Sequence, residues 1–175
     1  MLRLALLVVL VWGMSVASAT AQGRFRGAVQ RVTDGDTYRV LREDGRLVDV
    51  RLWGVDAPER GQPYGRAAAE AARRLVGGKT IRVSVEATDE YGRLLSRVEV
   101  EGRDVARELV RQGLAWRVEG QARGNRSLAR LQQEARSAGQ GLWAQPDPTP
   151  PWEWRRQQRR PGVNTAPPVP PERGP

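Results

Sequence analysis

The sequence predicts a mixed α+β domain, mainly β, and three observations carry that prediction. Five short runs of alternating or β-branched residues lie between residues 28 and 100. A helical pattern stands after the third run, and further helical patterns close the domain. A small five-stranded Greek-key barrel fits this count, because such barrels close five strands and bind oligonucleotides on one face. Strand count alone leaves it one candidate.

Ala28 to Val32 begins a first strand, and Asp34-Gly35-Asp36 turns it. Thr37 to Leu41 is a second strand, rich in β-branched and aromatic residues. Glu43-Asp44-Gly45 is a hairpin turn with its glycine placed for positive φ. Leu47 to Trp53 is a third strand, with Val48, Val50 and Leu52 on one face. Pro63 to Val76 reads as a helix, because Ala68, Ala71, Ala72 and Leu75 recur at three- and four-residue spacing before Gly77-Gly78. Thr80 to Val85 alternates Ile81, Val83 and Val85 against Arg82 and Ser84. Leu94 to Val100 is a fifth strand. Asp104 to Gln112 is a short helix with Asp104 as N-cap. Ser127 to Ser137 is the last, with Leu128, Leu131 and Ala135 on one face.

The ends differ in character. Arg3, the apolar run Leu4 to Trp12 and the Ala19-Thr20-Ala21 site predict a signal peptide over residues 1–21, hence an exported protein, periplasmic or secreted. The alternative is an uncleaved anchor, for which the run is short. The folded domain is expected over 22–145. Ten of the twelve prolines fall in 146–175, a Pro/Arg-rich tail. Trp152-Glu153-Trp154-Arg155-Arg156 interrupts it and can pack on the domain; from Gln157 onward an extended, disordered chain is expected.

Composition narrows the chemistry. The 175 residues contain no Cys and no His. Disulfides, the usual zinc sites, Ser-His-Asp triads, cysteine nucleophiles and histidine bases are all excluded. Catalysis must therefore run on carboxylates, arginines, hydroxyls and a hard metal. The net charge is +9, and of 29 basic residues only Lys79 is lysine. Such a surface fits a polyanion such as nucleic acid.

Two groups of charged residues stand where apolar strands end. Asp34-Gly35-Asp36-Thr37 alone is an ordinary turn. In Arg51-Leu52-Trp53-Gly54-Val55-Asp56-Ala57-Pro58-Glu59, an arginine and two carboxylates converge on one turn. If Asp36, Asp56 and Glu59 meet, they repel unless a cation sits among them, and a hard divalent ion such as Ca²⁺ or Mg²⁺ is the class that answers. Arg51 and Arg93 are forks suited to a phosphate. Arg93 follows the tight loop Asp89-Glu90-Tyr91-Gly92.

These segments carry a resemblance. Val32 to Thr37, Val50 to Glu59 and Asp89 to Arg93, in that order and spacing, resemble the staphylococcal (thermonuclease-like) nuclease family; Leu109 to Ala115 and Gly141-Leu142-Trp143 do so too. The likeness covers about residues 25–145. It implies an OB-fold barrel with three helices and Ca²⁺-dependent, endonucleolytic hydrolysis of DNA and RNA, single-stranded or frayed, by a monomer. Asp36 and Asp56 would ligate one Ca²⁺ through carboxylates and Ala57 through its backbone carbonyl. Arg51 and Arg93 would hold the scissile phosphate, with Glu59 as general base and Tyr91 as a local aromatic contact. The products would carry 3′-phosphate and 5′-hydroxyl ends. Ala57 stands where the family often has Thr, a change a carbonyl ligand tolerates. Trp116 to Gln121 stands where the archetype places tyrosines, so base stacking there departs from the family. The competing reading is a non-catalytic OB-type module that binds single strands in the same groove. A third reading gives the tail its own role as an adhesive segment for envelope polyanions or membrane surfaces. On the nuclease reading, truncation after Trp154 is expected to leave most activity intact.

Overall fold

The computed structural model describes residues 23–122 and 125–159. The expected signal peptide and the tail past Arg159 lie outside them. Eight strands and four helices follow in order: β1 (Arg24–Val32), β2 (Thr37–Arg42), β3 (Leu47–Leu52), β4 (Val55–Asp56), α1 (Gly65–Val76), β5 (Thr80–Thr88), β6 (Leu94–Val100), β7 (Arg103–Asp104), α2 (Val105–Arg111), β8 (Trp116–Arg117), α3 (Arg126–Ser137) and α4 (Pro151–Gln158). A 3₁₀ turn, Gly141–Ala144, precedes α4.

The expected five-stranded barrel is present. β1 pairs antiparallel with β2 and β5, β2 with β3, and β5 with β6. A parallel pairing of β3 with β6 closes the ring, with Val50 opposite Leu94, Arg51 opposite Leu95 and Leu52 opposite Ser96. Closure removes the open edges a five-stranded sheet would expose. The inward residues Val29, Val40, Val50, Leu52, Ile81, Val83, Val98 and Val100 are all buried. The apolar stripes of α1, α2 and α3 join the same core through Ala68, Ala72, Leu109, Val110, Leu128 and Leu131.

The differences from expectation have local causes. β1 starts four residues early, because Arg24 to Gly27 pair with Ile81 to Ser84 on β5. β5 runs on to Thr88 through an irregularity between Val85 and Ala87. α1 starts at Gly65 rather than Pro63, since Tyr64 sits at φ 65 in the left-handed region. α2 is capped as expected, Asp104 accepting from the Arg107 amide at 3.0 Å.

α4 is a fourth helix where three were expected. Pro150 precedes it and Pro151 opens it, where a missing N–H breaks no helical bond. Trp152 meets Trp116 edge-on at 5.7 Å, and Trp116 meets Trp143 at 4.4 Å. The helix runs to Gln158, beyond the point where the composition favours extended chain. Among the described residues no helix is long and apolar enough to cross a membrane.

Candidate active site

The site begins with a turn that must be narrow. A side chain at Gly35 would strike the Cβ atoms of Ala57 and Ala68, at 2.7 and 2.8 Å, so only glycine lets the 34–36 turn lie against α1. The Asp36 amide donates to Asp34 Oδ1 at 3.0 Å, and the Tyr38 hydroxyl to the Gly35 carbonyl at 3.0 Å. The Asp36 carboxylate is thereby held in the interior. Its Oδ1 accepts from Thr37 Oγ1 at 2.9 Å, and its Oδ2 from the Ala57 amide at 2.8 Å.

Arg51 leaves β3 and spans two carboxylates. Nη1 donates to Asp36 Oδ1 at 3.0 Å and Nη2 to Asp56 Oδ1 at 2.6 Å. Gly54, at φ 81, makes the reversal from β3 into β4 that brings Asp56 back toward Arg51. The backbone of Asp56 is fixed by pairing with Trp116 on β8. Both aspartates are buried, and the Arg51 side chain is only 16% exposed. Burial pushes Asp36 up from its ordinary 3.8 to about 8; Asp34 and Asp56 add repulsion, and Arg51 pulls the other way. Burial acts against charge on Arg51 as well, but Asp36 and Asp56 outweigh it and hold the guanidinium above its ordinary value.

Glu59 sits on a tight turn. The Gln62 amide donates to the Glu59 carbonyl at 2.8 Å, while the Glu59 amide donates to Gln62 Oε1 at 3.1 Å. Gly65 lies so close to the Glu59 carbonyl that a side chain there has no room. Arg93 is aimed by its own loop: its amide and Nε donate to the two oxygens of Asp89 at 3.0 and 2.8 Å. Its guanidinium lies 5.3 Å from the centre of the Tyr91 ring. The β3–β6 pairing brings Arg93, one residue before Leu94, to the end of the barrel that carries Arg51.

A cleft of about 690 Å³ opens over these groups, lined among others by Arg51, Asp56, Glu59, Tyr91 and Arg93. Asp36 and Ala57 sit behind its wall. The structure thus brings all seven expected residues to one end of the barrel, with Tyr91 on the rim and 68% exposed. Asp36, Asp56 and Glu59 do not share a single centre, and no group of three or more acidic residues suited to a metal occurs among the described residues. Arg51 ties Asp36 to Asp56, while Glu59 turns to a different cation.

That cation is Arg155 of α4, which sequence reasoning missed. Its Nη2 donates to Asp56 Oδ2 at 2.7 Å, and its Nη1 to Glu59 Oε1 at 2.7 Å and Asp56 Oδ1 at 3.2 Å. The bonds to Asp56 raise its affinity for its proton above the ordinary value; burial opposes this and Glu59 adds to it. The available signal was the Trp-Glu-Trp-Arg-Arg island among prolines. Truncation after Trp154 removes this guanidinium, so the expectation that such a chain keeps its activity is revised. The donor set of Asp36 and Asp56 is oxygen only and buried, the ligand chemistry of a hard divalent ion, and Arg51 and Arg155 bond these same oxygens.

Comparison with known proteins identifies the family. A family model described as Staphylococcal nuclease homologue matches residues 49–145. An Uncharacterized endonuclease of Escherichia coli O157:H7 is 40% identical over 153 residues, covering 87% of this chain and 96% of its own. An Uncharacterized endonuclease of Haemophilus influenzae is 32% identical over 157 residues, 90% of this chain and 88% of its own. The Probable staphylococcal-like nuclease CAN1 of Oryza sativa is 39% identical over 110 residues, 63% of this chain and 33% of its own. The chain belongs to the staphylococcal nuclease family and is a phosphodiester-hydrolysing enzyme.

Proposed function

We propose that the protein is an exported, monomeric, Ca²⁺-dependent endonuclease that cuts single-stranded or frayed DNA and RNA, leaving 3′-phosphate and 5′-hydroxyl ends. The observation that carries this reading is the Arg51 fork bridging buried Asp36 and Asp56, in a cleft that also presents Glu59 and Arg93.

Asp36 and Asp56, with the Ala57 carbonyl, are the residues that would hold the ion. When bound, the ion offsets negative charge on the phosphoryl oxygens. Arg51 and Arg93 bind the scissile phosphate and orient it through their planar guanidinium forks. They also stabilise the charge that grows on the equatorial oxygens during attack. Glu59, 38% exposed at the cleft, is the group placed to take a proton from water. Burial of Asp36 and Asp56 excludes solvent from the floor of the site, which strengthens each of these interactions. The basic surface draws a polyanion toward the cleft. Export rests on the leader pattern of residues 1–21.

Purified protein would be incubated with single-stranded DNA and RNA in Ca²⁺, Mg²⁺ or chelator. The reading predicts cleavage of both substrates in Ca²⁺, none in chelator, and activity in the exported fraction of the producing cells. Binding without cleavage in every ion would favour the non-catalytic module instead.

A further inference from the structure

Arg155 lies outside the segment that matches the family, 96 residues from Glu59 and 99 from Asp56. Its guanidinium nonetheless touches both carboxylates. One further bond ties the same arm to the same turn. The Gln62 side chain is buried and spans two partners: its Nε2 donates to the Thr149 carbonyl at 2.6 Å, while its Oε1 accepts from the Glu59 amide at 3.1 Å. Residues 149–155 therefore grip Glu59 twice, at its backbone through Gln62 and at its carboxylate through Arg155.

The grip has its own foundation. Pro151 is buried, and Trp152 is held edge-on against Trp116, whose backbone pairs with Asp56. α4 is thus anchored to β8, the strand that pairs with the one presenting Asp56. A Glu side chain on an exposed turn has several rotatable bonds, and restricting it lowers the entropy lost when it must meet a water molecule in one geometry. A guanidinium fork is suited to such restriction, since its donors diverge at fixed angles and it bonds two carboxylates at once. Glu59 Oε1 is engaged, and no bond to Oε2 occurs among the described residues, which leaves that oxygen to the cleft.

We propose that Arg155 is a positioning residue for the reaction: it orients Glu59 relative to Asp56, and α4 is a part of the active site supplied from outside the barrel. This rests on the nuclease reading given above. Arg155 acts through Glu59 and Asp56, so its loss changes the rate of the chemical step more than the binding of substrate.

The test uses full-length Arg155→Ala, Arg155→Lys and, as control, Arg156→Ala, which removes the same charge from an exposed position on the same helix. Two readouts are needed: kcat and KM on a short single-stranded oligonucleotide, and hydrogen exchange of the Glu59 and Gln62 amides. Arg155→Ala is expected to lower kcat about 100-fold, the scale of one lost active-site donor, with KM changed less than about threefold. Arg155→Lys should recover part of the loss, Arg156→Ala should match wild type, and the two amides should exchange faster in Arg155→Ala. Unchanged kcat or unchanged exchange would overturn the proposal. A raised kcat would overturn it too, and would make the contact an inhibitory latch. If the wild type cleaves nothing in any ion, the nuclease reading fails, and the exchange data still decide whether Arg155 holds the Glu59 turn.

Discussion

Arg51 and Arg155 hold the same carboxylate from different supports. Arg51 projects from a barrel strand paired on both sides, is 16% exposed, and lies between two buried aspartates. Arg155 projects from a short helix on an arm after the barrel, is 36% exposed, and reaches one buried and one half-exposed carboxylate. The chemistry of the two contacts is alike. Their consequences differ, because an uncompensated buried charge is far more costly than an exposed one. Arg51 is a residue of the fold as well as of the site, whereas Arg155 belongs to the site alone.

The largest effect is expected for Arg51→Ala. It leaves Asp36 and Asp56 buried without their common partner, and the expected loss is about 3–5 kcal/mol of stability, read from urea denaturation. Loss of less than about 1 kcal/mol would show that Arg51 is no more structural than Arg155. Asp36 probes the same region through pH. Burial raises its carboxyl from 3.8 to about 8 in the folded chain, with Arg51 pulling the other way. Stability in chelator should therefore fall as pH rises between about 4 and about 8, and Asp36→Asn should flatten that slope. A slope of the opposite sign would mean that Arg51 fully compensates the burial.

Gln62→Ala sharpens the comparison from the side of the arm. It leaves the Glu59 amide and the Thr149 carbonyl without their partner, at a cost of about 1–3 kcal/mol measured by the same denaturation. A neutral result would mean that the arm is not bound through this bridge. The smallest effect is expected for Arg155→Ala on stability, within about 1 kcal/mol, despite its effect on rate.

Much of the barrel was legible because its signals are local. The alternation Ile81, Val83, Val85, the Asp104 cap and the Gly77-Gly78 stop each act within a few residues. The family residues of the site were legible for a similar reason, since Arg51 to Glu59 and Asp89 to Arg93 are compact and ordered. What escaped depends on contacts between distant segments. Tyr64 adopts a left-handed conformation that no glycine announced. Arg155 is one of the chain's 29 basic residues and stands in a stretch whose prolines signal extended chain; long-range contacts, Trp152 on Trp116 and Gln62 on the Thr149 carbonyl, bring it to Asp56. Whether Asp36, Asp56 and Glu59 meet was equally illegible, because sequence cannot tell whether the cation beside a carboxylate is a metal or a guanidinium.

Glu59, set among Asp36, Asp56, Arg51 and Arg93, is the proposed base for phosphodiester hydrolysis. The direct measurement compares wild type with Glu59→Gln on a single-stranded oligonucleotide in Ca²⁺, with product ends determined by mass. The exchange removes the proton acceptor while keeping the shape of the side chain. The wild type is expected to leave 3′-phosphate and 5′-hydroxyl ends, and the variant to cleave about 10²–10⁴-fold more slowly. Equal rates in the two proteins, or no cleavage by either, would contradict it.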